Sequence, residues 1–163
     1  MILDNLTVFS GAVSATGVMT GQTVNGAGSF VSQNTLDLGP LSIGGNQVGD
    51  FGAGDPIDIE ISVLTAVTGG TTVKFQLIQA DDAALATNVQ VLISTDDLPV
   101  ANLGVGTLVP LRFARVAPYT PKRYVGLRYV NTGAITTASY FASIAESIAD
   151  VKNIFYKSGF TVA

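Results

Sequence analysis

Apolar side chains recur at every second position along much of this chain, and this period restricts its fold more than any other feature. Between Pro56 and Leu64, four branched apolar residues alternate with polar ones: Ile57, Ile59, Ile61 and Val63. A period of two places alternate side chains on opposite faces of a β-strand, whereas a helix needs a spacing of three to four. The segment therefore predicts a half-buried strand.

Further segments share this alternation or composition and predict more strands: residues 30–38, 71–79, 89–93, 109–113, 125–129 and 136–144. Gly69-Gly70, between the first two clear runs, predicts a hairpin turn. Pro110 predicts an edge strand or a bulge, because proline cannot donate to a ladder. Residues 10–28, rich in Gly, Ser, Thr and Ala, predict a loop with a tight turn at Asn25-Gly26.

Seven or eight short strands with Gly and Pro between them are typical of an all-β jelly roll or β-sandwich. We expect one domain over residues 1–163, because no composition break or linker divides it. Its predicted core residues are Ile59, Ile61, Phe75, Leu77, Val91, Leu111, Phe113 and Leu127. The spacing of Ile144, Ile148, Val151 and Phe155 leaves one short helix open near the end.

The chain carries little charge, and this bears on its partners. Charged residues make up 12% of it, against about 25% in an ordinary soluble domain. No apolar run reaches the length of about 18 residues that a membrane span requires, and Asp4 argues against a signal peptide. A weakly charged surface favours coverage by a partner, so we expect a homo-dimer or homo-trimer and no membrane association.

The charges are unevenly distributed along the sequence. Residues 1–100 hold ten of the twelve carboxylates and one of the eight basic side chains. Residues 101–163 hold the remaining seven basic groups. This asymmetry is compatible with nucleic-acid binding or with head-to-tail contacts between subunits.

Catalytic chemistry has little support in these residue types. The chain has no His and no Cys, which removes the commonest general base and the usual zinc ligands. The acidic pairs Asp81-Asp82 and Asp96-Asp97 lie in turn-like segments, where Asp bonds to nearby backbone. We favour that role over a glycosidase pair or a calcium loop. We therefore predict no enzyme activity, no catalytic residue, no metal and no cofactor.

One segment interleaves basic and aromatic side chains, a pattern found where proteins hold single-stranded nucleic acid. It spans residues 119–129 and includes Lys122, Arg123 and Arg128. On a strand, however, Val125, Leu127 and Tyr129 would face inward while Arg128 and Tyr124 face outward. The net charge of −4 favours this structural role, so nucleic acid is not a predicted partner.

Both chain ends are apolar where termini are usually polar. We interpret residues 1–10 as an N-terminal arm and residues 146–163 as a C-terminal segment or arm that binds neighbouring protein subunits. The predicted protein-binding residues are Ile2, Leu3, Leu6, Phe9, Phe155, Tyr156 and Phe160. The alternative is that each end forms an edge strand of its own sandwich.

Several segments, taken in order, resemble the Bordetella-phage-type capsid cement proteins: "MILDNLTVFSGA", "TLDLG", "GAGDPIDIEISV", "TVKFQLIQADD", "LISTDDLPVANLGVGTLVPLRF", "KRYVGLRYV" and "YKSGFTVA". Residues 11–31 and 40–49 depart from that family and look like insertions. The resemblance implies a jelly roll on the outer surface of the virion capsid, assembled in the host cytoplasm. There it would bridge subunits of the major capsid protein, with no active site.

A second function stays open on the sequence alone. A carbohydrate-binding or host-attachment β-sandwich on a virion would use exposed aromatic side chains to stack sugars. The chain has five tyrosines but no tryptophan, which weakens this alternative.

Overall fold

The computed structural model describes residues 7–39, 42–43, 46–47, 51, 56–114 and 120–145. The regular secondary structure of these residues is β-strand, apart from 3₁₀ geometry at Thr7 and at Val100–Asn102. The strands are β1 (Val8–Ser10), β2 (Ala12–Val13), β3 (Met19–Thr20), β4 (Gln22–Thr23), β5 (Gly26–Val31), β6 (Leu36–Asp37), β7 (Ser42–Ile43), β8 (Asn46–Gln47), β9 (Ile57–Gly69), β10 (Thr72–Ala80), β11 (Gln90–Ser94), β12 (Leu98–Pro99), β13 (Leu108–Phe113) and β14 (Tyr124–Ala145). The predicted all-β class is confirmed.

Strand β14 organises the sheet, because its 22 residues pair along both edges. On one edge β9 and then β10 run antiparallel to it, end to end. On the other edge β1, β4, β5 and β6 follow one another. Strand β13 pairs with the outer side of β9, while β11 and β12 pair with the outer side of β10. The sheet thus has four rows of strands: β13 with β11 and β12, then β9 with β10, then β14, then β1 with β4, β5 and β6. It is nearly closed.

The prediction of a hairpin at Gly69-Gly70 is wrong. Strands β9 and β10 do not pair with each other; both continue along β14, with Gly69 opposite Ile135 and Thr72 opposite Thr132. Gly69 and Gly70 have φ values of 73° and 62°, a region open chiefly to glycine. A Cβ on Gly133 of β14 would lie 3.0 Å from the Gly70 Cα. The glycines therefore let the β9–β10 junction lie close to β14 at a bend of the sheet, without a reversal of the chain.

The length of β14 joins two segments that the sequence predicted as separate strands. Residues 125–129 and 136–144 belong to the single strand β14. Conversely, the strand predicted over residues 30–38 is divided between β5 and β6, and the predicted loop over residues 10–28 contains the β2–β3 hairpin. Ile144, the first position of the optional C-terminal helix, lies in β14. The other three positions lie outside the described residues.

The half of the bent sheet around β9 and the half around β10 bury their inner side chains in one core, as a sandwich requires. Its centre holds three aromatic rings, with Phe75 edge-on to Tyr129 at 5.8 Å and to Tyr140 at 5.2 Å between centroids. Seven of the eight predicted core residues are buried. Val91 is the exception and is 45% exposed.

A β-bulge explains the error at Val91. Leu77 pairs with Ile93 but Ile78 pairs with Val91, so Leu92 is an extra residue in β11. A bulge of this kind changes which face the following side chains occupy. Val91 thus shares the face of Ile78, away from the main core. The edge position predicted from Pro110 is confirmed, because β13 pairs only with β9 among the described strands.

Candidate interaction surface

The predicted arm residues fall into two groups. Six of them lie outside the described residues: Ile2, Leu3, Leu6, Phe155, Tyr156 and Phe160. The seventh, Phe9, is 2% exposed and belongs to the main core, so its assignment to an arm is wrong. The physical reason is that β1 pairs with β14, with Val8 opposite Ser143. Here the edge-strand alternative holds, and the arm prediction is restricted to residues 1–6 and 146–163.

The two remaining terminal segments join the domain at the same end. Because Val8 lies opposite Ser143, the attachment points at Thr7 and Ala145 are close to each other. Beside Thr7 is a groove of about 230 Å³, lined by Thr7, Val8, Phe9, Asn34, Thr35, Leu36 and Ile144. This end of the sheet, with its groove and two attachment points, is the candidate interaction surface.

Hydrogen bonds fix one wall of this groove. The Asn34 backbone N–H donates to the Phe9 carbonyl at 2.8 Å, and its side-chain Nδ2 donates to the Val8 carbonyl at 3.1 Å. Side-chain to backbone bonds of this kind hold a loop in place. The sequence reasoning did not identify Asn34, Thr35, Leu36 or Ile144 as groove residues. No local signal could have found them, since the pairing of β14 with the N-terminal strands brings them together.

The basic and aromatic segment forms part of the sheet and a set of ion pairs. Arg123 donates two hydrogen bonds to Asp37, at 2.7 and 2.8 Å, which lowers the pKa of that carboxyl to about 2. Lys122 pairs with Asp81 at 2.7 Å and lowers its pKa too. Arg128 bonds through Nε to a side-chain amide of β10 at 2.7 Å. These three cations are thus engaged within the domain, and the strand interpretation is confirmed.

The described tyrosines offer little surface for stacking a sugar. Tyr129 and Tyr140 are fully buried, with rings stacked at 5.0 Å between centroids. Burial raises the pKa of both phenols, and the Tyr129 hydroxyl lies 2.7 Å from the Ser10 hydroxyl. Tyr124 is half-buried, with the Arg123 guanidinium 5.0 Å from its ring centroid. The other two tyrosines lie outside the described residues.

Of the two acidic pairs, Asp81-Asp82 serves local structure. Asp82 accepts hydrogen bonds from the backbone N–H groups of Ala86 and Thr87, at 2.9 and 2.8 Å, as predicted for a turn. Those contacts lower its pKa. Asp97 differs from the prediction, because it pairs with the Lys74 side chain of β10 at 3.2 Å instead of with nearby backbone. Within the described residues no three potential ligands come together to hold a metal ion.

A family model described as Bbp16 matches residues 18–144. The chain belongs to the Bbp16 family. This match covers most of the sequence and confirms the Bordetella phage part of the resemblance. No curated protein matches the chain significantly. The described residues contain no helix with the length and apolar character needed to cross a membrane.

Proposed function

We propose that this Bbp16-family chain is a capsid cement protein, which binds the outside of a phage head and bridges subunits of the major capsid protein. Membership of a phage protein family is the observation that carries this proposal. The joining of two apolar terminal segments to one end of the domain supports it. In this role the chain is a non-enzymatic virion protein that needs no cofactor and binds neither nucleic acid nor membrane.

The geometry suggests how such bridging works. The sheet supplies a rigid body, and residues 146–163 would reach about 60 Å if extended. Apolar side chains along such a segment can enter pockets of a neighbouring subunit while its backbone adds to a sheet edge. Each contact is weak, but many copies on one lattice make attachment collectively tight. The groove beside Thr7 and Ile144 would then lie against the capsid.

The proposal predicts that both terminal segments are needed for attachment but not for folding. Deletion of residues 1–6, or of residues 146–163, should leave the melting temperature within a few degrees of the wild type. Either deletion should reduce co-sedimentation with capsids that lack this protein by about tenfold or more. The deletion stops at residue 6 because Phe9 belongs to the core.

A matched pair of triple variants removes the ambiguity of a deletion. One replaces Phe155, Tyr156 and Phe160 by Ala; the control replaces Asn153, Ser158 and Thr161 by Ala in the same segment. Only the first should lose capsid binding, because apolar and aromatic anchors dominate interfaces of this kind. Equal binding by both variants would contradict the C-terminal half of the proposal. Wild-type protein that fails to bind capsids would contradict all of it.

A further inference from the structure

One side of the sheet is built from a long stretch of sequence without charge. Residues 7–36, here named the charge-free edge, contain no Asp, Glu, Lys or Arg. An ordinary stretch of this length would carry about seven charged residues. Burial does not explain their absence, because much of the β2–β3 hairpin and of β5 is exposed. Three large apolar side chains on it are 38–59% exposed: Val18, Met19 and Val31.

The charge-free edge is also an open sheet edge. Strands β4 and β5 pair with β14 on one side only among the described strands. In the centre of β5, Ala27, Gly28 and Ser29 are all exposed. No atom lies within 4 Å of the position that a Cβ on Gly28 would occupy. Backbone groups on the outer side of β5 around Gly28 are therefore accessible to another chain.

The opposite edge of the sheet is protected in ways that strand β5 is not. Strand β13 carries Pro110, and its Arg112 side chain is 64% exposed. Strand β11 carries the bulge at Leu92. Proline, exposed charge and bulges are the devices by which proteins prevent edge-to-edge pairing. Strand β5 carries neither proline nor charge.

We propose that the charge-free edge is the surface through which two copies of this chain associate. A two-fold interface places the same patch against itself, so a charge near the two-fold axis comes close to its own copy and is repelled. A surface without charge satisfies that condition, whereas a different partner could be met with charges of opposite sign. The inference rests on the proposed function, because a subunit that bridges the capsid would use this interface for its self-association.

The test places a lysine at one exposed alanine on each of the two edges. Ala27→Lys lies in the centre of β5, and the control Ala101→Lys lies in the exposed 3₁₀ turn beside β12. Sedimentation equilibrium over a range of concentrations measures the dissociation constant, and thermal melting verifies folding. We expect the wild type to form dimers. The dissociation constant should rise by about tenfold or more for Ala27→Lys and change by no more than about threefold for Ala101→Lys.

Salt provides a second readout. With no charge in the interface, the wild-type dissociation constant should change by less than about twofold between about 50 and 500 mM salt. Ala27→Lys should regain part of its association at high salt, because screening weakens the introduced repulsion. Ser29→Lys should behave in the same way.

Three results would overturn the inference: a wild-type monomer at all concentrations, equal effects of Ala27→Lys and Ala101→Lys, or normal self-association of Ala27→Lys with loss of capsid binding. The last would assign the edge to the capsid protein. Wild-type dimers that are weakened by Ala27→Lys but never bind capsids would instead contradict the proposed function and leave the inference standing.

Discussion

Replacement of Phe75 by Ala tests whether the half of the sheet around β9 and the half around β10 share one core. Phe75 is fully buried, with edge-on contacts to Tyr129 at 5.8 Å and Tyr140 at 5.2 Å. Truncation of a buried phenylalanine costs about 3–5 kcal/mol from lost transfer free energy and the cavity left behind. Two aromatic pairs, each worth about 0.5–1.5 kcal/mol, place the expected cost in the upper part of that range.

Urea unfolding followed by circular dichroism measures this cost as a shift of the midpoint at constant slope. For a chain of this size, 3–5 kcal/mol corresponds to a fall in melting temperature of about 6–20 °C. The control is Val91→Ala on the outer face of β11, where the side chain is 45% exposed. It should cost no more than about 1 kcal/mol. A cost below about 1 kcal/mol for Phe75→Ala, or equal costs for the two variants, would refute the reasoning.

Two further substitutions test local contacts. A Cβ on Gly126 would lie 2.4 Å from Leu85 Cδ1 and 2.9 Å from Ser32 Oγ, which is held by hydrogen bonds. Gly126→Ala should therefore cost about 1–3 kcal/mol from overpacking. Gly104→Ala, with open space around it, should not destabilise, and equal melting temperatures would contradict this. Arg123 lowers the Asp37 pKa from 3.8 to about 2, so their pairing stabilises the fold fully above about pH 4 and loses this effect as pH falls toward 2. Asp37→Asn should therefore melt below the wild type at pH 7 and equally at pH 2; a constant difference in melting temperature would exclude this linkage.

The sequence predicted individual strands well because the pleat imposes a period of two on any half-buried strand. It did not predict how the strands connect. Gly69-Gly70 has the composition of a hairpin turn, but the same positive φ values serve a bend at which β9 continues into β10. What decides between reversal and continuation is the availability of β14 as a partner for both strands. That partner lies more than fifty residues further along the chain, so no local pattern records it.

The candidate surface was predictable only in part, for a related reason. The apolar character of the ends is visible in sequence, and it led to Phe9 being assigned to an arm. The boundary between arm and domain depends on pairing of β1 with β14, which buries Phe9. The groove is likewise made by Asn34 and Ile144, which are separated by more than a hundred residues. Composition indicates that a segment is apolar, but the packing determines whether its own domain buries it.

The uneven distribution of charge along the sequence has an explanation within the domain. The contacts Arg112–Asp58, Lys122–Asp81 and Arg123–Asp37 each join a basic group after residue 100 to an acid before it. Antiparallel pairing of β13 with β9, and of β14 with β6 and β10, brings these groups together. For these three pairs the asymmetry serves contacts inside one subunit, where the sequence alone had left nucleic acid or head-to-tail contacts open.

This internal pairing has a consequence for recognition. Opposite charges held within about 4 Å of each other produce a weak field at a distance, and salt screens most of what remains. A surface of this kind gains little from electrostatic steering, so partners must be selected by shape and apolar contact after they meet. That mode suits a subunit whose copies attach to a fixed lattice, where local concentration is high and many contacts act together.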